Sequence, residues 1–188
     1  MISLGLLAAA ALSAASLTTS CDLAASHPSD PDRAAPGLES AQIDLKVAEA
    51  TCRTAHAAAP EHARTAYHLG RLIYYQGRRA EALPFLERAA DGGYRQGIFV
   101  LGYLLSLGEP GVTKDVCRAQ ELWRRGAGLD HPWSGYHLVE KQLAGAFAAC
   151  PRQVSPAESA RFLDLAQRRI TVAESAGRVE ALTARAGK

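Results

Sequence analysis

The stretch of chain that decides the fold runs from Ile98 to Trp123 and reads IFVLGYLLSLGEPGVTKDVCRAQELW. Its first half has apolar residues such as Leu101 and Leu104 at helical spacing, the pattern of an amphipathic helix. The turn-forming sequence GEPG at 108–111 interrupts this pattern. A second helical pattern begins at Asp115. The stretch therefore predicts two helices joined by a glycine-rich loop.

The beginning of this stretch recurs twice in the chain. The motif FVLG at 99–102 has counterparts in YHLG at 67–70 and YHLV at 136–139, at separations of 32 and 37 residues. A second helical pattern follows each copy, and this period is typical of paired helices. Neither helix of a pair could bury its apolar stripe alone. Successive pairs must therefore stack to form the core.

Composition supports the same class of fold. The 188 residues include 37 Ala but only 4 Phe and 2 Trp, which suits closely packed helices better than a β-sheet. We predict an all-α protein, a right-handed α-solenoid of antiparallel helix pairs with an N-terminal extended arm.

Small residues are predicted where the two helices of a pair pack closely, and a tryptophan is predicted to fill the volume left between them. The predicted repeat-packing residues are Gly70, Ala82, Ala89, Gly102, Ala119 and Trp123.

These positions carry a resemblance to known repeats. Gly70, Ala82, Leu86 and Ala89 have the spacing of the tetratricopeptide signature. The second unit resembles its longer-loop relative, the Sel-one-like (Sel1-like) repeat, in Leu101-Gly102, Gly108, Gly111-Val112, Asp115, Ala119 and Trp123. The resemblance covers roughly 39–149, and Val139 departs from it in the third unit. It implies a scaffold for protein–protein binding whose concave face holds an extended peptide.

The predicted peptide-binding groove follows from the first helix of each pair, which lines the concave side of such a solenoid. Aromatic and arginine side chains recur there at three- and four-residue spacing, and both residue types are common at binding hot spots. The predicted groove residues are Arg64, Tyr67, Arg71, Tyr74, Tyr75, Phe99, Tyr103 and Tyr136. The predicted partner is a protein or a peptide.

The amino terminus has the pattern of a secretory signal peptide. Ile2 to Leu17 is an apolar run without charge, although Met1 has no Lys or Arg near it. Cleavage is expected after Ala15 or after Ser20, and we favour Ser20. The alternative is a buried first helix of a cytosolic protein.

The favoured division of the chain is a signal peptide at 1–20, an extended arm at 21–38, a helical-repeat domain at 39–154, and a capping helix and tail at 155–188. Gly177 is a predicted weak point of that last helix.

The four cysteines are an even set, which predicts two disulfides in an exported, periplasmic or secreted protein. Of the three pairings we favour Cys21 with Cys52 and Cys117 with Cys150, because the predicted helices make these segments neighbours. Four buried, reduced cysteines are the alternative. Cys21 also loosely resembles a lipoprotein anchor site, but Thr18 stands where such sites usually carry Leu, and we do not favour it.

The sequence does not show a pattern of catalytic chemistry. It has no phosphate-binding loop or nucleophile elbow, and no two of its six histidines are spaced i, i+4 as metal ligands on one helix. A net charge of +2 argues against nucleic-acid partners. We expect no enzyme activity, no cofactor, no metal and no membrane span in the mature chain. The alternative is an envelope enzyme or binder acting on peptidoglycan or a β-lactam, as in cysteine-rich relatives of the repeat.

Overall fold

A computed structural model of the protein describes residues 17–187, and within this range every regular element is a helix. Most of the predicted signal peptide, residues 1–16, lies outside the described residues. A 3-10 helix spans Ser40–Gln42. The α-helices are α1 (Ser20–Ala25), α2 (Leu45–Ala58), α3 (Ala63–Tyr75), α4 (Arg79–Asp91), α5 (Arg95–Leu107), α6 (Val116–Gly128), α7 (Pro132–Leu143), α8 (Pro156–Arg169) and α9 (Ala173–Ala186).

Three helical hairpins form the body of the protein. Helices α3 and α4, α5 and α6, and α7 and α8 pack against each other within pairs, while α4 packs on α5 and α6 packs on α7. Helix α2 lies against α3 at one end, and α9 lies against α8 and α7 at the other. The architecture is an α-solenoid, as predicted. No helix within residues 17–187 is long and apolar enough to cross a membrane.

The helices of a hairpin touch where one of them has no side chain. A Cβ atom added at Gly102 of α5 would lie 2.8 Å from the Nε1 atom of Trp123 in α6. At the equivalent position of the first hairpin, a Cβ at Gly70 would lie 2.9 Å from the Leu86 side chain. The buried Trp123 also donates a hydrogen bond of 3.2 Å from its indole nitrogen to the carbonyl of Phe99. Glycine is therefore required at this crossing because a larger residue would push the helices apart.

Two disulfides join segments that are distant in sequence. Cys21 of α1 is bonded to Cys52 of α2, and Cys117 of α6 is bonded to Cys150 in the loop after α7. These are the two pairings that the sequence favoured. One of them ties the arm to the solenoid, and the other ties the second hairpin to the third.

The arm differs from the extended segment that we predicted. It begins with the helix α1, whose first turn is closed by a capping box between Thr19 and Asp22. Its remainder folds back on itself, because the amide of Leu38 donates to the carbonyl of Ser26. The sequence prediction failed because the helix is too short to show a period. Hereafter "the arm" means residues 17–38.

The C-terminal region also differs from the predicted helix and tail. Helix α8 is the second helix of the third hairpin, as the third copy of the motif predicted, but the chain breaks at residues 170–172 rather than at Gly177. Beyond the break, α9 buries Val179 and Leu182, each at most 2% exposed. The residues after Gly177 are thus a packed helix, since its two apolar side chains lie against the third hairpin.

We expect opposite effects from an added methyl group at two helical glycines. Gly102→Ala should lower the free energy of unfolding by about 1–3 kcal/mol, because the rigid indole of Trp123 blocks the new Cβ. Gly177→Ala should raise it by about 0.5–1 kcal/mol, because nothing lies within 4 Å of that position and alanine favours a helix. Urea unfolding of the oxidised protein followed by circular dichroism measures both. Equal effects of the two substitutions would contradict the crossing described here.

Candidate functional site

The arm lies on α3 and is anchored there by a buried carboxylate. Asp22 is fully buried and accepts hydrogen bonds from Nε of Arg64 at 2.7 Å and from Nε2 of His68 at 3.0 Å. Burial alone would raise the pKa of Asp22. The hydrogen bonds from His68, Arg64 and Thr19 outweigh it and hold this pKa far below its ordinary value. The carboxylate is therefore charged and fully satisfied inside the protein.

A second arginine of α3 binds the backbone of the arm. The guanidinium of Arg71 donates to the carbonyl oxygens of Ala25, Ser26 and Leu38 at 2.7–3.0 Å. Only 4% of Arg71 is exposed. Because a buried guanidinium needs acceptors for its donors, these three carbonyls explain why Arg71 can lie inside the protein.

The loop of the arm continues from α3 onto α5. The hydroxyl of Tyr94 donates to the carboxyl of Asp30 at 2.5 Å, and Arg95 forms an ion pair with Asp32, also at 2.5 Å. Burial raises the pKa of Asp30 above its ordinary value. The arm thus contacts the first helices of two successive hairpins, which together form the predicted concave face.

This placement corrects part of the predicted groove. Arg64, Tyr67 and Arg71 were predicted to line an open groove, but each is less than 7% exposed. The arm covers them and supplies the acceptors of both arginines, namely the carboxylate of Asp22 and three backbone carbonyls. Arg64 binds Asp22, whereas Tyr67 and Arg71 remain at the edge of the open part of the face.

The open part is a cavity of about 290 Å³ next to the arm, which we call the aromatic groove. Six of the eight predicted residues line it: the buried Tyr67 and Arg71, and the more exposed Tyr74, Tyr75, Phe99 and Tyr103. Two rings of α7 that the sequence analysis did not include, Trp133 and His137, line it as well. Tyr103 is 40% exposed. The rest of the lining comes from His27, Ser29, Gln96, Val100 and Leu104.

The rings of the groove support one another. Phe99 stacks on His137 with 5.5 Å between ring centroids, and Tyr103 meets the edge of His137 at 5.7 Å. His137 also stacks on the buried Trp123, again with 5.5 Å between ring centroids. Tyr74 donates its hydroxyl hydrogen to Glu109 at 2.7 Å. These contacts hold the ring positions before any ligand binds.

Tyr136 does not belong to the groove, contrary to the prediction. Only 4% of it is exposed, the guanidinium of Arg178 lies 5.4 Å from its ring centroid, and its hydroxyl donates to Glu140. The reason is α9, which packs on the third hairpin and covers this position. The sequence could not place α9 because its apolar face is thin.

Trp133 is one of the groove residues that the sequence analysis did not include, although a signal existed. The repeat separations of 32 and 37 residues relate Arg64 to Gln96 and Gln96 to Trp133. All three positions lie on the same face of equivalent helices. In the third unit this position is not covered by the arm, and the indole therefore lines the cavity.

A second cavity adjoins the aromatic groove. It measures about 470 Å³, and Ser29 and Trp133 line both spaces. We call it the arginine cavity because Arg33, Arg95 and Arg169 all line it. The arm provides one side of this cavity, while α5, α7 and the break after α8 provide the others. Within residues 17–187, no group of three or more His, Cys, Asp and Glu side chains could hold a metal ion.

Comparison with known proteins supports the fold. No protein-family model and no curated protein matches the chain. Among solved structures, it is similar to a Sel1 repeat protein from Oxalobacter formigenes, with 18% identity and a TM-score of 0.53 over 67% of this chain. It is also similar to a protective antigen of uropathogenic Escherichia coli strains that displays an SLR fold, with 16% identity and a TM-score of 0.55 over 78% of this chain.

The stacked hairpins define the chain as an α-solenoid, and these two similarities show that the solenoid has the Sel1-like repeat fold. The resemblance noted in the sequence is thereby confirmed for the fold. The matched region spans 53% of the Oxalobacter protein and 34% of the Escherichia coli antigen.

His131 makes the region behind the groove sensitive to acid. Its ring is fully buried at the start of α7 and stacks on Phe99 with 4.9 Å between centroids. Nδ1 accepts from the amide of Ser134 at 3.2 Å, and Nε2 lies 2.9 Å from Oε1 of Gln96, so the neutral ring with a proton on Nε2 satisfies both contacts. Burial lowers the pKa of His131 to about 3.

We expect His131 to destabilise the fold as pH falls from about 6.5 toward 3. In that window the unfolded histidine binds a proton that the folded one does not, so stability is retained above it and lost below it. His131→Asn keeps a residue that can cap α7 but removes the titration. It should reduce the dependence of unfolding free energy on pH by up to about 1.4 kcal/mol per pH unit. Urea unfolding at pH 4, 5, 6 and 7 tests this, and an unchanged slope would contradict the role of burial.

Proposed function

We propose that the protein is a non-enzymatic scaffold that binds an extended segment of another protein in the aromatic groove, in the periplasm or outside the cell. The observation that carries this proposal is the open groove, lined mainly by aromatic rings, beside a concave face that the arm otherwise covers. The repeat fold supports a protein partner because stacked helical hairpins form extended concave binding surfaces.

The chemistry of the groove suits a peptide with apolar side chains. Aromatic rings offer a large contact area at low cost in conformational entropy. Phe99 and His137 are held by stacking, and Tyr74 is held by its hydrogen bond to Glu109. Because these side chains are already ordered, binding does not have to immobilise them.

The two disulfides support an oxidising compartment. All four cysteines are paired, and such bonds persist mainly in exported proteins. Cys21 is fully buried with its sulfur bonded to Cys52, so a lipid attached to this sulfur would exclude the disulfide. We therefore propose export without a lipid anchor at Cys21.

The arm also bears on where a signal peptide would be removed. The side chain of Thr19 caps α1 by accepting from the amide of Asp22, and Thr18 donates its hydroxyl hydrogen to the carbonyl of Ala34 at 2.8 Å. Cleavage after Ser20, which the sequence favoured, would remove both contacts, and loss of such a cap costs about 1 kcal/mol. We propose instead that cleavage follows Ala15, the other candidate site.

Mass spectrometry of the protein after export from a Gram-negative host tests these proposals on compartment and processing. We expect a chain that begins at Ser16, that weighs four hydrogens less than its reduced form, and that carries no lipid. A chain that begins at Cys21, with or without lipid, would contradict the proposed cleavage. An intact Met1 with four free thiols would contradict export.

Binding by the groove is tested with peptides selected on the oxidised protein from a random twelve-residue display library. We expect Tyr103→Ala to weaken the selected peptides about tenfold or more, because it removes the most exposed ring of the groove. Leu107→Ala is the matched control: Leu107 lies on the same helix, is 41% exposed and is outside the groove. Fluorescence anisotropy of labelled peptides gives each Kd. Equal affinities for the wild-type and Tyr103→Ala proteins would overturn the groove assignment.

A further inference from the structure

We propose that the segment bound in the aromatic groove carries an acidic side chain beside its apolar anchor, and that this carboxylate binds Arg33 and Arg169 in the arginine cavity. The inference rests on the proposed function and specifies the chemistry of the partner.

The arm shows how the concave face binds a segment laid upon it. Each of its three buried or half-buried aspartates is bound by a donor on the solenoid. Asp22 is bound by Arg64 and Asp32 by Arg95, while Asp30 accepts from Tyr94. The first helices of the repeats therefore present arginine and tyrosine donors that match the carboxylates of an acidic chain.

Two of the three arginines that line the arginine cavity have no carboxylate partner among residues 17–187. Arg95 forms an ion pair with Asp32 and donates hydrogen bonds to the carbonyls of Leu129 and Asp130. The carboxylate charge of Asp130 also lies near it. Arg33 donates to the carbonyl of Asp30. Within residues 17–187, neither Arg33 nor Arg169 forms an ion pair with a carboxylate. Two cations of the same cavity are thus free to bind an anionic group.

The two cavities adjoin each other. Ser29 of the arm and Trp133 of α7 line both of them. Trp133 thus shares the aromatic groove with Phe99, Tyr103 and His137, and it shares the arginine cavity with Arg33 and Arg169. An apolar residue followed closely by Asp or Glu therefore matches the surface in both polarity and charge.

The arginine pair is tested by comparing peptide selections on three oxidised proteins: the wild type, Arg33→Gln/Arg169→Gln, and Arg161→Gln/Arg185→Gln. The last variant removes the same charge from two exposed arginines outside the cavity. All peptides are amidated at the carboxyl terminus, so their carboxylates come from side chains alone. We expect Asp or Glu next to an apolar residue to be enriched on the wild type and on the control variant. We expect no such enrichment on Arg33→Gln/Arg169→Gln.

Affinities of the selected peptides give the second readout. Replacing the acidic residue by Asn or Gln should weaken binding to the wild type about tenfold, with a smaller difference at high salt. The same replacement should have no effect on Arg33→Gln/Arg169→Gln. Enriched peptides that lack an acidic preference, yet depend on Tyr103, would overturn this inference and leave the proposed function standing. A selection that enriches no peptide on the wild type would contradict both.

Discussion

The contact between Trp123 and the helix that carries Gly102 is the interaction on which the rest of the structure depends. The absent side chain at Gly102 lets the indole lie against α5, where it donates to the carbonyl of Phe99. The same indole also stacks on His137 of the next hairpin, with 5.5 Å between ring centroids. One buried ring therefore sets the spacing within a hairpin, the contact between hairpins, and the position of two groove side chains. In a solenoid each unit contacts only its neighbours, so such a shared contact orders the whole stack.

The arm determines how much of the resulting concave face is open. A carboxylate as deeply buried as Asp22 is stable only because Arg64, His68 and Thr19 satisfy it, and the removal of one partner would leave an uncompensated charge. Together with the disulfide from Cys21 to Cys52, this cluster makes the arm part of the folded core. The open part of the concave face is thereby limited to the aromatic groove, which lies between the end of α3 and the helices α5 and α7.

The sequence was most informative where a pattern repeats and least where it occurs once. The recurrence of Gly70 and Gly102 at equal positions marked the helix crossings correctly, because each glycine is opposed by a large side chain one helix away. Helix α2 is the opposite case, because its apolar Val47 is 62% exposed while Ala48, Glu49 and Cys52 are buried. A single helix with such a buried face has little hydrophobic contrast, so its periodicity does not indicate which side is packed.

The sequence by itself determined the class of fold, the helical hairpins and the residues at which they touch, because these depend on local periodicity and on side-chain size. It also supplied the aromatic and arginine side chains of the concave face. Only the tertiary structure decided which of them are open. Arg64 and Arg71 have the same chemistry as Arg33 and Arg169, and the first two are buried because the arm returns to them from more than thirty positions away in the chain. Such pairing follows from long-range packing, which no local pattern in the sequence records.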